Sequence, residues 1–150
     1  MHSGRGIHPA VSAQNGNKGV VQTYVPFRNG LMLSAAASVA MGIYPGEDVL
    51  LYIGAHADDA AGDAYPDCSE AFVDAMCKAI EIGSYGKASI AAPLVNMTKK
   101  DVVRNGLELS VPYHLTWSCY EGGDEPCGKC GTCIDRAKAF EANGVSDPAL

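Results

Sequence analysis

The stretch SCYEGGDEPCGKCGTC, Ser118 to Cys133, places four of the chain's six cysteines within sixteen residues and leaves almost nothing apolar between them. A segment of that composition cannot fold around a hydrocarbon core, so the cysteines themselves must organise it. Cys119, Cys127, Cys130 and Cys133 follow the pattern C-x7-C-x2-C-x2-C, and two-residue gaps let successive thiolates converge on one ion of tetrahedral preference. Gly122, Gly123, Gly128 and Gly131 lie among them and give the backbone freedom to fold back, turning amides toward the sulfurs. The expectation is a metal knuckle over 118–134. Zinc is the first candidate, and four thiolates would close its coordination shell and make the site structural. Tetrahedral sulfur sites also suit iron, and iron–sulfur ligands use similar spacing. A redox-active C-x-x-C pair or four unligated thiols are the remaining alternatives, although neither accounts for the interleaved glycines.

The rest of the chain has the composition of a folded domain. Its 150 residues are 47% hydrophobic and 19% charged, enough for one ordinary soluble domain with its own core. A formal net charge of -6 weighs against broad adhesion to nucleic acid or acidic lipid. Residues 1–22 are rich in Gly, Asn, Ser and Gln without periodicity and are expected to form a flexible arm or variable loop. They contain no continuous apolar segment of the signal-peptide kind, and no run approaches the roughly 20 apolar residues of a membrane span. A cytoplasmic location with reduced thiols is therefore expected, and the sequon Asn96-Met97-Thr98 is expected to stay unused.

Apolar patterning organises residues 23–150. NGLMLSAAASVAM, Asn29 to Met41, reads as a helix buried on most sides and stopped by Gly42. DVLLYIGAH, Asp48 to His56, has the continuous apolar character of a fully covered strand in a parallel sheet. An acidic, glycine-containing loop follows, and then Ser69 to Ile82 places Phe72, Val73, Met76 and Ile80 at helical spacing. Cys77 lies in that helix as a small core residue; Cys68 sits at its mouth, where packing is favoured over chemistry. A second strand over Ala88 to Ala92 closes at Pro93, and Thr98-Lys99-Lys100-Asp101 resembles a capping box opening a further helix. Alternation of helix and strand predicts an α/β layered fold with crossovers, whose ligands gather at the carboxyl ends of the strands. The loop after His56 lies at such an end.

Five segments carry a resemblance: TYVPFRN (23–29), YPDC (65–68), APLVNMTK (92–99), GLELSVPYHLTWSCYEGG (106–123) and PCGKCGTCIDRAKAF (126–140). Together they resemble the 7-cyano-7-deazaguanine (preQ0) synthases of queuosine biosynthesis, members of the PP-loop ATP pyrophosphatase superfamily, from about Thr23 to Pro148. The combination VPYHLTWSCYEGG followed by CGKCGTC is its most specific part. The resemblance implies a Rossmann-like α/β fold with a parallel sheet, incomplete at the N-terminus, in a homodimer. It implies zinc bound by the four cysteines, and an ATP- and Mg2+-dependent ligase converting 7-carboxy-7-deazaguanine and ammonia to a nitrile. On this basis 23–150 is a partial PP-loop domain that includes the knuckle.

The same resemblance nominates substrate- or ATP-binding residues: Arg28, Asn29, Tyr65, Asp67 and Lys99. A guanidinium at Arg28 offers a planar fork to phosphate or carboxylate. Asn29 suits a helix cap as well as a ligand contact. Asp58 and Asp59 are further carboxylates of the strand-end loop, able to face magnesium or substrate amino groups. Trp117 and Tyr120 flank the first cysteine, where they suit either a flat-ring pocket or packing. Enzymes of the superfamily cradle pyrophosphate with an S-G-G-x-D-S loop, and that motif does not occur in the 150 residues. The chain therefore resembles the carboxyl-terminal two-thirds of the enzyme and is expected to be inactive alone. Two alternatives stand beside the ligase: a noncatalytic fragment that dimerises with or regulates a full-length synthase, and a zinc-ribbon binding module. Direct nucleic-acid binding is not expected, because Lys129, Arg136 and Lys138 near the cysteines are offset by Glu121, Asp124, Glu125 and Asp135.

Overall fold

The computed structural model describes Val21 and residues 23–149; the expected arm over 1–22 therefore lies, except for Val21, outside the described residues. The chain divides into two compact units, one comprising essentially Tyr24–Thr98 and the other built mainly from Lys99–Leu150.

The first unit follows the order α1 (Arg28–Ile43), β1 (Val49–Tyr52), α2 (Ala57–Ala60), α3 (Glu70–Gly83) and β2 (Ala88–Ala91), with 3-10 turns at Ala61–Asp63 and Pro66–Cys68. Its sheet has two strands among the described residues, paired in parallel with Val49 opposite Ala88 and Tyr52 opposite Ala91. The ladder begins where Val49 N–H donates to Lys87 O at 2.7 Å and ends where Ile53 N–H donates to Ala91 O at 3.0 Å. Pro93 has no amide proton with which to continue β2. Ser69 caps α3 as its residue type predicts, accepting the Phe72 N–H on Oγ at 3.2 Å. Helix α3 presents Val73 to the core and packs against β2, while α1 packs against both β1 and α3.

Three expectations differ from the structure. Gly42 does not stop α1, which continues to Ile43 and ends where Tyr44 N–H donates to Ala40 O. Gly42 retains helical geometry, and the left-handed residue that turns the chain comes later, at Gly46 with φ +86°. Nor is α1 buried on most sides: only Gly30, Leu33 and Ala37 are buried, along one stripe, while Leu31 is 69% exposed. Likewise β1 is covered on one face only, since Val49 and Leu51 are half-buried but Leu50 and Tyr52 are exposed. Hydrophobicity located these elements, but the strand expected over Asp48–His56 is confined to Val49–Tyr52, with His56 at the N-cap of α2, and apolar composition does not specify what covers an element.

The second unit contains α4 (Lys99–Glu108), a 3-10 turn at Tyr113–Leu115, the cysteine segment, and α5 (Gly131–Glu141). Val103 of α4 and Ala139 and Phe140 of α5 form its apolar core, with Tyr113 packed against them. Tyr113 meets Phe140 edge to face at 4.9 Å and donates its hydroxyl proton toward the carbonyls of Val103 and Val102. Gly106 allows this approach, because a Cβ there would collide with the Tyr113 hydroxyl and ring.

Arg136 fastens the same unit from the polar side. Its Nε and Nη2 donate to Asp147 Oδ2 and Oδ1 at 2.6 and 2.9 Å, Nη1 to Thr116 Oγ1 and O, and Nη2 to Tyr113 O. The guanidinium also lies over the Phe140 ring, 5.5 Å from its centroid. Burial opposes ionisation of Asp147, yet the Arg136 hydrogen bonds, the Ala149 N–H and the guanidinium charge outweigh it and hold the carboxyl below its ordinary value.

Candidate metal centre and strand-end cluster

The four cysteines meet in the second unit. Their sulfurs all lie within 4.8 Å of one another, and Cys119, Cys130 and Cys133 are buried with Cys127 packed against them. Four sulfurs about 2.3 Å from a common zinc would stand about 3.8 Å apart, and Cys127 Sγ and Cys133 Sγ are 4.0 Å apart. The donor set and spacing therefore fit a tetrahedral metal ion.

Local backbone geometry explains the convergence. Gly128, with φ +66°, turns the chain between Cys127 and Cys130, and Gly122, with φ +67°, turns it after Cys119. Cys130 is the N-cap of α5, so Cys133 follows in the first helical turn and faces the same sulfur cluster. Backbone amides point inward as the interleaved glycines suggested: Glu121 and Cys127 N–H donate to Cys119 Sγ, and Cys130 N–H to Cys127 Sγ. Such bonds stabilise negative sulfur. The Cys119 thiol is lowered mainly by the Cys127 and Glu121 amides. Burial acts against ionisation of Cys130, but Thr132 and nearby amides prevail and bring it down to about 6. Cys133 is pushed up to about 12, first by burial and then by the neighbouring sulfurs. Four thiolates in one place repel, and a divalent cation relieves that repulsion.

Trp117 is half exposed and donates its indole N–H to Cys119 O at 2.9 Å; Tyr120 is exposed. Arg136, one of three basic residues near the cysteines in the sequence, is occupied internally by Asp147 and by backbone carbonyls. Neither the Arg136 clamp nor Asp147 is visible as a site in the sequence, since their pairing has no helical or strand periodicity.

The first unit assembles the strand-end candidates. Asn29, at the start of α1, donates its backbone N–H to Asp67 Oδ2 at 2.9 Å and its side-chain amide to Asp67 O and Cys68 Sγ. Thus TYVPFRN and YPDC, 38 residues apart, are one structural feature. Phe27, the N-cap residue of α1, is left-handed with φ 56° and has no capping side chain, so Asp67 caps the helix from outside. The Phe27 ring lies over Gly30 and meets Phe72 edge to face. Tyr65 is half-buried, meets Tyr24 edge to face, and donates its N–H to Asp59 O. Arg28 is half-buried at the first position of α1.

Asp67 is 2% exposed, and its second oxygen, Oδ1, is buried without a hydrogen-bond partner among the described residues. His56, the N-cap residue of α2 in the segment that follows β1, is buried with Nε2 3.2 Å from Asp59 Oδ2, while Asp58 is exposed in α2. Cys68 is pushed up to about 11 by burial first, then by Asp59 and Asp67, so it is a packed thiol in agreement with its sequence reading. Cys77 is half-buried in α3 and accepts the Ile90 N–H on sulfur, tying the helix to β2. Lys99 is the first residue of α4 and belongs to the other unit. The structure thus brings Arg28, Asn29, Tyr65 and Asp67 together within one unit, and it places Lys99 and the four cysteines in the second.

Comparison with known proteins gives a consistent result. A family model described as "Queuosine biosynthesis protein QueC" matches residues 6–144. The chain is 49% identical over 130 residues to the 7-cyano-7-deazaguanine synthase of Archaeoglobus fulgidus, covering 86% of this chain and 52% of that protein. It is 49% identical to the synthase of Caldicellulosiruptor bescii, covering 85% of this chain and 55% of the relative. For the Nitratiruptor sp. synthase the identity is 44%, with coverage of 92% and 61%. The chain therefore spans a little over half the length of these relatives. With the cysteine cluster, the small parallel sheet and a match over nearly all its residues, the chain belongs to the QueC family of queuosine biosynthesis proteins.

Proposed function

We propose that this chain serves in the formation of 7-cyano-7-deazaguanine, as its relatives' names describe, with one structural zinc per chain. The observation that carries the reading is the convergence of Cys119, Cys127, Cys130 and Cys133 inside a sequence matched to the family over residues 6–144. Zinc, when bound by these four thiolates, supplies a rigid crosslink and no open coordination position. Chemistry would then belong to the strand-end cluster of the other unit.

The reaction has demanding requirements. A carboxylate resists attack by ammonia, so the substrate carboxyl must first become an acyl-adenylate, releasing pyrophosphate. Ammonia displaces AMP to give the amide. The amide oxygen must then be activated by a second ATP so that it leaves with AMP, two N–H protons being lost, and a carbon–nitrogen triple bond remains. Arg28 is suited to hold carboxylate or phosphate oxygens, Asp67 to accept an N–H from the deazapurine or ammonia, Tyr65 to cover a flat ring, and Lys99 to approach a phosphate. Asn29 positions Asp67 and the start of α1. ATP carries Mg2+, for which Asp58 and Asp59 are the nearest candidates. The proposed setting is a cytoplasmic homodimer without direct nucleic-acid contacts; among the described residues no helix is long and apolar enough to cross a membrane. The sequence contains no S-G-G-x-D-S, and turnover by the 150-residue chain alone is not expected.

Elemental analysis of purified protein tests the metal assignment: one zinc per chain, lost in Cys130→Ser, is expected. Iron with visible cluster absorbance would overturn it. For the reaction, chromatography of 7-carboxy-7-deazaguanine incubated with ATP, Mg2+ and ammonium is decisive. No nitrile is expected from the chain alone, and nitrile is expected when the unmatched part of a relative is supplied. No nitrile in that mixture, with both parts folded and associated, would overturn the ligase reading in favour of a noncatalytic partner.

A further inference from the structure

Thr132 joins the cysteine cluster to the chain that leads into it. It is the second residue of α5, half-buried between Gly131 and Cys133, which are both buried. Its Oγ1 donates to Ser118 O, 14 residues earlier, at 2.7 Å. The same Oγ1 lies 3.2 Å from Cys130 Sγ. One hydroxyl therefore touches both the residue that precedes the first cysteine and the sulfur of the third.

Arg136 stands four positions further along α5, on the same face, and grips Tyr113 and Thr116 of the same incoming segment. Segment 113–118 is thus laid along α5 by two side chains one turn apart. They differ in what else they reach: the guanidinium ends on Asp147, whereas the hydroxyl ends on a cluster sulfur.

The amides of Glu121, Cys127 and Cys130 that point at Cys119 Sγ and Cys127 Sγ are main-chain donors, kept whatever side chain those positions carry. Thr132 is a side-chain donor, and its hydroxyl has one proton and two lone pairs. A cysteine that binds a metal ion is a thiolate with no proton of its own, so its sulfur can only accept. Ser118 O likewise only accepts. The single hydroxyl proton is then shared between carbonyl and sulfur in a three-centre bond.

We infer that Thr132 is a positioning residue of the metal centre, its hydroxyl donating to the Cys130 thiolate while it holds the Ser118 carbonyl beside it. The inference rests on the proposed four-thiolate site and adds to it a group outside the donor set. Four thiolates around a divalent ion carry a net charge of -2, and hydrogen-bond partners of the ligands orient them and spread that charge. Threonine does this from a helix position already fixed by the cluster, since Cys130 is the N-cap of α5 and Cys133 follows Thr132 directly. Serine at 132 retains the proton; valine retains the shape and loses the proton.

The test measures zinc affinity of the 150-residue chain by competition with a chromogenic chelator, and the sulfur-to-metal charge-transfer band after loading with Co2+. Thr132→Val should weaken zinc binding about 10–100-fold, while Thr132→Ser should stay within about threefold of wild type. In Thr132→Val the cobalt band should move to longer wavelength, because a sulfur that loses a hydrogen bond gives up electrons more readily; in Thr132→Ser it should not move. Thr116→Val removes an Arg136 contact from the neighbouring rung without reaching a sulfur, and should leave affinity and band unchanged. Thr132→Ala, which also lacks the hydroxyl, takes the place of Thr132→Val if that variant does not fold. Wild-type affinity and band in the hydroxyl-free variant would overturn the inference. So would equal weakening in Thr116→Val, which would make Thr132 a tie for segment 113–118 alone, or in Thr132→Ser. A wild-type chain that binds neither zinc nor cobalt would overturn the four-thiolate site itself, and this role with it.

Discussion

Removal of the Asp147 carboxylate is the sharpest test of how the cysteine-bearing unit is held. Arg136 sits in α5, three residues after Cys133, and its side chain is 12% exposed; the Asp147 side chain is 3% exposed. Asp147→Ala deletes two charge-assisted bonds of 2.6 and 2.9 Å and leaves Thr116 and Tyr113 as acceptors for a guanidinium without a counter-ion. Breaking a buried pair by removing one partner costs about 3–5 kcal/mol. The surviving contacts to Thr116 and Tyr113 favour the lower half of that range. With a urea m-value of about 1–3 kcal/mol/M, a loss near 3 kcal/mol moves the midpoint down by roughly 1–3 M. Trp117 is the chain's single tryptophan and lies in this unit, so its fluorescence follows this transition selectively.

The pH dependence supplies a second readout of the same variant. The folded carboxyl lies below its ordinary value, so its contribution is fully present above about pH 4 and is lost as pH falls through the folded value. Wild-type stability followed at Trp117 should fall over that acid range, and Asp147→Ala should flatten the component due to this pair. The double variant Arg136→Met, Asp147→Leu removes both charges and should recover much of the loss. A midpoint shift below about 0.3 M for Asp147→Ala, with the pH profile unchanged, would refute the clamp as a stabilising element.

Other expectations follow from the same packing. Phe140→Ala removes a side chain that is 1% exposed and should cost about 3–5 kcal/mol by the same fluorescence assay. Gly106→Ala gains roughly 1 kcal/mol in helix propensity but forces Tyr113 off Phe140, and a net loss of about 1–2 kcal/mol is expected. Because Cys68 is raised to about 11, alkylation at pH 8 should be slower at Cys68 than for free cysteine, as measured by peptide mass spectrometry; a rate equal to free cysteine would contradict its burial. Asp67→Ala removes the outside cap of α1 and should cost about 1–2 kcal/mol in unfolding of the first unit, followed by amide exchange.

The parts most legible in the sequence were those fixed by local chemistry. The cysteine spacing and its glycines specify the knuckle because ligand geometry and left-handed turns act over a few residues. Ser69 announces α3, and Pro93 limits β2, for equally local reasons. The covering of α1 is not legible in the sequence, because apolar composition records a preference for burial without naming the surface that satisfies it. The Arg136–Asp147 pair and the Asp67 cap have no signature in the sequence, because each joins segments with no periodic relation, across 11 and 38 residues respectively. The candidate residues Arg28, Asn29, Tyr65 and Asp67 could be nominated from motifs, but their clustering follows from the way the YPDC turn closes onto the start of α1.

That closure makes two distant loops share one opening equilibrium. Asp67 is held by the first turn of α1, and the first turn is completed by Asp67, so neither can loosen without the other. Local unfolding of the YPDC turn should release the Asn29 amide, held by Asp67, together with the turn's own Cys68 and Ser69 amides, held by the Tyr65 and Pro66 carbonyls, as a single small cooperative unit. A ligand that orders either side therefore also orders the other, and part of its binding free energy will be spent on reducing the motion of a segment it never touches.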